Sequence, residues 1–172
     1  MSYVHCEFST SGDKLVSVGG EPDFTITVWN WLDQCVILKA KAFSAEVFRA
    51  SFSPTTDDII FTSGSGHIKF WRMAETFTGL KLQGEIAKFG KLELSDVYAF
   101  YELPDGKVIS GTDQGTLILW DGVQVKAHLV LDYDEKTGKK TPLHNGTIEV
   151  ILFENNEFIT AGRDGFIKWW AL

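Results

Sequence analysis

The sequence contains little cysteine, and its cysteines have no arrangement that binds metal. Cys6 and Cys35 are the two cysteines among 172 residues. A structural zinc site needs further ligands at short, regular spacings, and neither cysteine has partners placed in that way. We therefore predict no metal and no other cofactor. We expect both thiols to be buried and reduced, as is usual in a reducing compartment.

Arginine and positive charge are also scarce. Three arginines and a formal net charge of −7 leave no basic face that could neutralise phosphates, so nucleic acid is not an expected partner. Long apolar runs are missing too, since none approaches the roughly 18 residues of a membrane-spanning helix. Residues Met1–His5 lack the basic and apolar pattern of a secretory signal. The expected location is the cytoplasm, with no membrane partner.

What the sequence does have is a high share of aromatic residues, 13%, and a repeat that ends in tryptophan. Four short apolar strands each end in this way: Thr25–Trp29, His67–Trp71, Thr116–Trp120 and Phe166–Trp170. The repeat tryptophans, Trp29, Trp71, Trp120 and Trp170, are 42, 49 and 50 residues apart. A period of this size is typical of repeat arrays, and the tryptophan ending favours the blades of a β-propeller.

Strand and turn signals divide each repeat in the same way. An alternating strand leads to a turn with Gly, Asp or Asn, then to a second strand, a glycine turn and the tryptophan strand. A more variable fourth segment follows at 36–41, about 80–87 and 123–133, and none follows Trp170. The repeats are predicted at about 1–30, 42–72, 95–121 and 144–172, within one domain spanning 1–172. Extra residues are predicted to form loop insertions at 74–79, 84–95 and 134–143. The predicted fold class is all-β, a partial β-propeller of four blades whose last blade lacks its outer strand and has an exposed edge.

The segment Gly115–Asp121 reads Gly-x-x-x-x-Trp-Asp and resembles the WD-repeat (WD40) family. In that family a loop histidine, a serine or threonine on the second strand, an aspartate in the next turn and the tryptophan form a hydrogen-bonded tetrad. The resemblance implies such a tetrad in the fourth repeat, where all four residue types are present: His144, Thr160, Asp164 and Trp170. The other repeats keep it only in part.

The tetrad has two interpretations. As a structural device, the carboxylate accepts from the imidazole, and the set ties a loop to a strand. As a catalytic group, Thr160, His144 and Asp164 have the residue types of a nucleophile triad. We prefer the structural interpretation because the WD pattern already accounts for all three residues and no oxyanion-binding element accompanies them. We therefore predict no catalytic residues and no enzyme.

Four further stretches narrow the resemblance: Trp29-Asn30-Trp31, Lys41–Arg49, Gly66–Trp71 and Met73–Gly84. The last of them is not generic repeat sequence. Together with their surroundings they resemble the cilia- and flagella-associated WD-repeat proteins of the tether/tether-head complex, most strongly over Glu21–Gly84. The resemblance implies a scaffold of the axoneme that anchors the motor domain of an inner-arm dynein to doublet microtubules. It implies inner-arm dynein and a sister tether WD-repeat subunit as partners. It also implies that this chain is a fragment, a short isoform or a truncated relative of a longer protein.

The residues are also compatible with direct binding to microtubules. The third repeat resembles microtubule-binding propellers of the echinoderm microtubule-associated type, which would make tubulin a partner. Lys136, Lys139 and Lys140 could then form a basic tip that contacts acidic tubulin tails, and Trp31 could be an aromatic anchor that faces a partner. A generic WD-repeat adaptor remains open as well, and a propeller enzyme is the rival hypothesis that a negative hydrolase assay would exclude.

Overall fold

The structure, a computed structural model, describes residues 2–171; Met1 and Leu172, at the ends of the predicted domain, lie outside the described residues. This part of the chain contains seventeen β-strands and no helix, so none of its segments is a helix able to span a membrane. The all-β class predicted from the sequence is confirmed. The chain divides into two compact units, with the boundary in the sequence between Ala87 and Lys88.

The first unit contains two four-stranded antiparallel sheets. Sheet 1 has the order β1-β2-β3-β4, with β1 Tyr3–Phe8, β2 Lys14–Gly19, β3 Thr25–Asn30 and β4 Cys35–Lys41. Sheet 2 has the order β5-β6-β7-β8, with β5 Val47–Phe52, β6 Ile59–Gly64, β7 His67–Thr76 and β8 Gly79–Ile86. Consecutive strands pair along each sheet, as predicted for propeller blades.

The core of the first unit lies between one face of each sheet. On β2 and β3, four β-branched residues point to the same face and are fully buried: Val16, Val18, Ile26 and Val28. They cluster with side chains of sheet 2, among them Phe52, Ile60 and Trp71. Burial of each large apolar side chain stabilises the fold by about 1.5–3 kcal/mol, so this contact is the main attraction between the two sheets.

The second unit contains a four-stranded sheet, a small hairpin and a three-stranded sheet. Sheet 3 has the order β9-β10-β11-β12, with β9 Val97–Glu102, β10 Val108–Thr112, β11 Leu117–Asp121 and β12 Gln124–Leu129. The hairpin pairs β13 Asp132–Asp134 with β14 Lys139–Thr141. Sheet 4 has the order β15-β16-β17, with β15 Ile148–Glu154, β16 Glu157–Gly162 and β17 Ile167–Ala171. Among the described residues it has three strands, which agrees with the blade predicted to lack its outer strand.

The core of the second unit repeats the arrangement of the first. Ala99, Ile109 and Leu117 lie on one face of sheet 3 and are buried against Ile148 and Ile151 of sheet 4, together with Leu103, Leu143 and Phe158. Each unit is therefore a pair of sheets packed face to face, which is how neighbouring blades of a propeller contact each other.

The turn between β15 and β16 shows why asparagine pairs in the sequence predict hairpin turns. Asn155 and Asn156 both have positive φ, 51° and 66°. A two-residue hairpin turn with positive φ at both positions matches the twist of its flanking strands, and asparagine tolerates this conformation better than most residues. The Asn-Asn pair therefore fixes the register in which Phe153 pairs with Phe158.

The prediction of buried thiols was wrong, since Cys6 and Cys35 are both exposed and free. Each lies on an edge strand of sheet 1, Cys6 in the middle of β1 and Cys35 at the start of β4. An edge strand packs on the core less completely than a central one. An apolar-looking strand in the sequence therefore did not guarantee burial at these two positions.

The three predicted loop insertions also need correction. Residues 74–79 continue β7 to Thr76 and turn directly into β8, so the extra length makes a longer hairpin. Strand β8 takes residues to Ile86, which leaves a shorter connection than 84–95. Residues 134–143 contain most of the β13–β14 hairpin. Polar residues in these segments suggested loops, but strand pairing satisfies their backbone groups and permits exposed polar side chains.

Candidate functional site

Each repeat tryptophan donates its indole N–H to a hydroxyl group on the second strand of its own sheet. The four pairs are Trp29–Ser17 at 2.8 Å, Trp71–Thr62 at 2.9 Å, Trp120–Ser110 at 2.8 Å and Trp170–Thr160 at 2.9 Å. A buried indole N–H without a partner destabilises a fold, so the hydroxyl both satisfies the ring and fixes its orientation. All four repeats share this contact.

In the fourth repeat the contact extends into a chain of four side chains. The Thr160 Oγ1 atom lies 2.7 Å from His144 Nε2, and His144 Nδ1 lies 2.9 Å from Asp164 Oδ1. Because a carboxylate only accepts, the Nδ1–H donates to Asp164, and the Thr160 hydroxyl, whose oxygen accepts from Trp170, donates to Nε2. The Trp170 indole donates to Thr160 from the other side. The structure thus brings together all four residues of the sequence-predicted tetrad.

The Asp164 carboxylate is surrounded by donors. It accepts from His144, from the backbone N–H of Asn145 at 3.0 Å and from that of Phe166 at 3.2 Å, and its side chain is 9% exposed. The hydrogen bond from His144, aided by the two backbone donors, lowers the pKa of Asp164 to about 2 although burial opposes this shift. The carboxylate is therefore fully ionised at neutral pH.

Two glycines allow the loop that carries His144 to approach the sheets closely. A Cβ atom added to Gly162 would lie 2.5 Å from His144 Nδ1, inside the contact distance of any real side chain. Gly115, with φ +78°, accepts both the Leu143 and the His144 backbone N–H on its carbonyl oxygen. The glycine turns of the third and fourth repeats thus hold His144 in place.

The geometry bears on the catalytic interpretation of the same residues. Thr160 is 0% exposed and His144 is 1% exposed, and the Thr160 oxygen already accepts from Trp170. A nucleophile must reach its substrate, and this hydroxyl lies beneath the loop and the indole ring. In the part of the chain that the structure covers, no group of three His, Cys, Asp or Glu side chains is placed to hold a metal ion.

The loop position that His144 occupies in the tetrad is filled differently in the other repeats. The position of His144, four residues before the first strand of its sheet, is taken by Phe43 in the second repeat and by Glu93 in the third. Phe43 stacks on His67 with ring centroids 3.7 Å apart. Glu93 is exposed. The third repeat therefore lacks the ring that fills this place in its neighbours.

The second and fourth repeats also share a lysine that contacts this loop, and the third repeat lacks it. Lys69 donates to the Ala42 carbonyl at 3.1 Å, and Lys168, at the equivalent position of β17, donates to the Leu143 carbonyl. Both lysines brace the loop residue directly before the ring position. In the third repeat the equivalent residue is Ile118, which has no side-chain donor.

The side chains predicted to face a partner lie in two places. Lys136 and Lys139 are exposed on the β13–β14 hairpin, whereas Lys140 Nζ lies 3.2 Å from His128 Nδ1 and so points back to sheet 3. Trp31 is half-exposed and donates to the Gly12 carbonyl at 2.7 Å, with its ring edge-on to that of Phe8. Lys140 thus differs from the other two lysines in contacting sheet 3, and Trp31 has contacts within its own sheet.

Comparison with solved structures concerns the fold alone. A Myceliophteria thermophila Cps50 (Swd1) β-propeller domain matches 99% of this chain and 52% of that chain, with a TM-score of 0.71 at 14% identity. The computationally designed Ika4 protein matches 99% of this chain and 91% of its own, with a TM-score of 0.68 at 22% identity. These matches confirm the predicted propeller fold. No family model matches the chain.

Comparison with curated proteins is more specific. Cilia- and flagella-associated protein 44 of Mus musculus is 48% identical over 98% of the chain, and that of Chlamydomonas reinhardtii is 54% identical over 83%. The protein of the same name from Trypanosoma brucei brucei is 40% identical over 97%. This chain is a relative of cilia- and flagella-associated protein 44. The resemblance predicted from Trp29-Asn30-Trp31 and Met73–Gly84 is thus confirmed.

The similarity covers only part of each relative. The chain spans 9%, 8% and 10% of the mouse, algal and trypanosome proteins called cilia- and flagella-associated protein 44. A more distant match, human echinoderm microtubule-associated protein-like 1, is 30% identical over 65% of this chain and 13% of its own length. The ciliary relatives are therefore closer in sequence than the microtubule-associated one, and they match more of the chain.

One feature of sheet 4 could not be located from the sequence. Two rows of paired residues run across its three strands on one face. The first row is Val150, Ala161 and Ile167, and the second is Leu152, Ile159 and Trp169. The outer members of these rows are exposed, up to 59% for Ile167 and 61% for Trp169. The alternation of β15 and β17 could indicate two apolar faces, but only the structure identifies which one is uncovered.

Proposed function

We propose that this chain is a non-catalytic WD-repeat scaffold segment of motile cilia and flagella. The observation that carries the proposal is the 40–54% identity to cilia- and flagella-associated protein 44 from three organisms. The fold supports it, because propellers present rigid surfaces to other proteins. The cytoplasm, the cytoskeleton and specifically the ciliary axoneme are the proposed locations.

The proposed partners follow from the same resemblance. The scaffold anchors the motor domain of an inner-arm dynein to doublet microtubules, together with a sister tether WD-repeat subunit. Residues 1–172 contribute a partial propeller with repeats at about 1–30, 42–72, 95–121 and 144–172. Neither nucleic acid nor a membrane is a proposed partner, and no cofactor is required.

The uncovered face of sheet 4 supports a role within a larger assembly. In sheet 3 the equivalent rows contain Ile109 and Leu117, which are buried beneath sheet 4. In sheet 1 the equivalent residues, such as Val16 and Ile26, are buried beneath sheet 2. The same face of sheet 4 is apolar and exposed, so its proposed occupant is the next sheet of the longer protein. Covering this face would stabilise the assembly by about 1.5–3 kcal/mol for each large apolar side chain that becomes buried.

The tetrad has a structural role in this proposal. Its chain of hydrogen bonds runs from Trp170 through Thr160 and His144 to Asp164, and it ties the loop before β15 to β16 and β17. Buried polar networks of this kind specify one arrangement when every member is satisfied. The burial of Thr160 supports a scaffold rather than a hydrolase.

A second candidate function is direct binding to microtubules. It is favoured by the similarity to echinoderm microtubule-associated protein-like 1 and by the exposed lysines of the β13–β14 hairpin. The test is co-sedimentation of the purified chain with microtubules, comparing wild type with a variant in which Lys136, Lys139 and Lys140 are all replaced with alanine. Binding that is lost in this variant favours the second function, and failure of the wild type to sediment favours the tether.

The main proposal is tested in ciliated cells. The chain with a fluorescent tag is expressed at low level, and axonemes are isolated after detergent extraction. We expect the tagged chain to stay with the axoneme when the membrane and matrix are removed. Complete release into the detergent-soluble fraction, with the tag intact, contradicts a scaffold role. The uncovered face offers a matched variant, Trp169→Lys, which we expect to weaken retention.

A further inference from the structure

An open cavity of about 540 Å³ lies in the third repeat, at the end of sheet 3 next to the β13–β14 hairpin. Its lining includes Lys91, Glu93, Thr116, Ile118, His128 and Lys140. A volume of about 300–1,000 Å³ is usual for sites that bind small molecules. All of these residues belong to the second unit.

The cavity lies where the third repeat differs from its neighbours. Glu93 replaces the ring supplied by Phe43 in the second repeat and by His144 in the fourth. Ile118 replaces the lysine that braces the loop, Lys69 or Lys168, in those repeats. Both replaced positions line the cavity. Two independent changes have therefore left space in one place.

Hydrogen bonds arrange the polar groups on the wall. Lys140 Nζ lies 3.2 Å from His128 Nδ1, and His128 Nε2 lies 3.0 Å from Thr116 Oγ1, which lies 2.9 Å from Thr112 Oγ1. An ammonium group only donates, so His128 Nδ1 accepts and its Nε2–H donates to Thr116. This order directs the Lys140 ammonium towards His128 on the wall of the open cavity.

The charges on the wall favour an anion. Burial and the nearby Lys140 lower the pKa of His128, so its ring is neutral at neutral pH. The remaining charged groups on the wall are the ammonium groups of Lys91 and Lys140 and the carboxylate of Glu93. Two cations and one anion leave one positive charge, although the whole chain has a net charge of −7. Charge-assisted hydrogen bonds from ammonium groups bind carboxylates and phosphates.

We infer that this cavity of the third repeat is a binding site for a carboxylate or phosphate group, such as an acidic side chain of a partner peptide. Lys140 and Lys91 supply the charge, and the place left by the missing ring and lysine supplies the room. The site goes beyond the scaffold function and does not depend on it.

The test is a titration of the isotope-labelled chain, followed by the amide signals of its NMR spectrum. The probes are inorganic phosphate and a blocked hexaglutamate peptide, each added separately at constant ionic strength. We expect saturable shifts centred on the residues that line the cavity. Saturation with phosphate alone identifies a phosphate site, and saturation with the peptide identifies a carboxylate site. If neither probe gives saturable shifts there, the inference is wrong.

Two lysines on the same hairpin give a matched comparison. Lys140→Gln removes a charge from the wall, and we expect it to weaken binding about tenfold, as the loss of one charge-assisted hydrogen bond does. Lys136→Gln removes the same charge from the hairpin but not from the wall, and we expect less than a twofold change. Equal weakening by both variants indicates diffuse attraction and overturns the site.

A double variant distinguishes the effect of the cavity's volume from the effect of its positive charge. Glu93→His with Ile118→Lys restores the residues of the fourth repeat and makes this region more positive. Simple attraction predicts tighter binding of the anion, whereas a cavity site predicts that binding is lost because the space is filled. A dispersed spectrum with unchanged signals in the first unit shows that the variant is folded. Tighter binding by this folded variant contradicts the inference.

Discussion

Replacing His144 with alanine is the sharpest perturbation of the tetrad. His144 is 1% exposed, and both of its ring nitrogens are hydrogen-bonded. The variant leaves the buried Thr160 hydroxyl without its acceptor, while Asp164 keeps two backbone donors. An orphaned buried hydroxyl costs about 1–3 kcal/mol, and the vacated ring space adds a cavity term. We expect a loss of about 3 kcal/mol in the free energy of unfolding.

For a chain of this length, 1 kcal/mol corresponds to about 2–4 °C in Tm, so the expected decrease is about 6–12 °C. The assay is urea unfolding followed by tryptophan fluorescence, with a thermal melt as a second measurement. The control is Glu93→Ala, at the equivalent and exposed position of the third repeat, where we expect a change within about 0.5 kcal/mol.

A third variant separates the hydrogen bonds from the space. His144→Phe places in the fourth repeat the residue that Phe43 supplies in the second, so it refills the volume without the two hydrogen bonds. We expect it to be more stable than His144→Ala and less stable than wild type. If His144→Ala is as stable as Glu93→Ala, the tetrad does not hold the loop, and the structural interpretation is refuted.

Three further outcomes follow from the structure. Because the pKa of Asp164 is lowered to about 2 from its ordinary value of 3.8, its contribution to stability is complete above about pH 5 and is lost as the pH falls through about 2 towards about 1. The difference in unfolding midpoint between wild type and Asp164→Asn should therefore shrink over that range, and a difference at about pH 1 that is as large as at about pH 5 contradicts this. The uncovered face of sheet 4 should make the isolated chain self-associate, so size-exclusion chromatography should show a concentration-dependent oligomer that Trp169→Lys reduces; a wild-type monomer that resists dilution and concentration argues against it. Trp120→Phe removes the N–H bonded to Ser110 and part of a buried ring, so it should lower the free energy of unfolding by about 2 kcal/mol. In the same urea assay Trp31→Phe, which changes a half-exposed ring, should lower it by less than about 1 kcal/mol.

Much of the fold could be predicted from the sequence because each repeat contains residues that show where its strands end. Each tryptophan ends a strand, and each glycine or asparagine turn has a conformation that few other residues adopt, as Asn155 and Asn156 show. These signals are local, so they do not depend on the rest of the chain. The length of the hairpin formed by β7 and β8 was underestimated, with residues 74–79 predicted as a loop, because exposed polar residues are compatible with both a loop and an outer strand.

The features that the sequence did not reveal depend on packing between elements. Cys6 and Cys35 lie in apolar-looking strands but are exposed, because exposure at an edge strand depends on what packs beside it. The cavity of the third repeat required a comparison of Glu93 and Ile118 with their equivalents, and that comparison needs the strand registers. The side-chain types of the tetrad could be found from the family pattern, whereas its distances and burial could not.

Proximity labelling tests the central claim most directly. The chain is fused to a labelling enzyme in ciliated cells, and labelled axonemal proteins are compared with those from the same enzyme fused to an unrelated axonemal protein. The proposal predicts enrichment of an inner-arm dynein heavy chain and of a sister tether WD-repeat subunit over this control. Labelling that matches the control, or enrichment of tubulin without dynein, contradicts the role as a dynein tether.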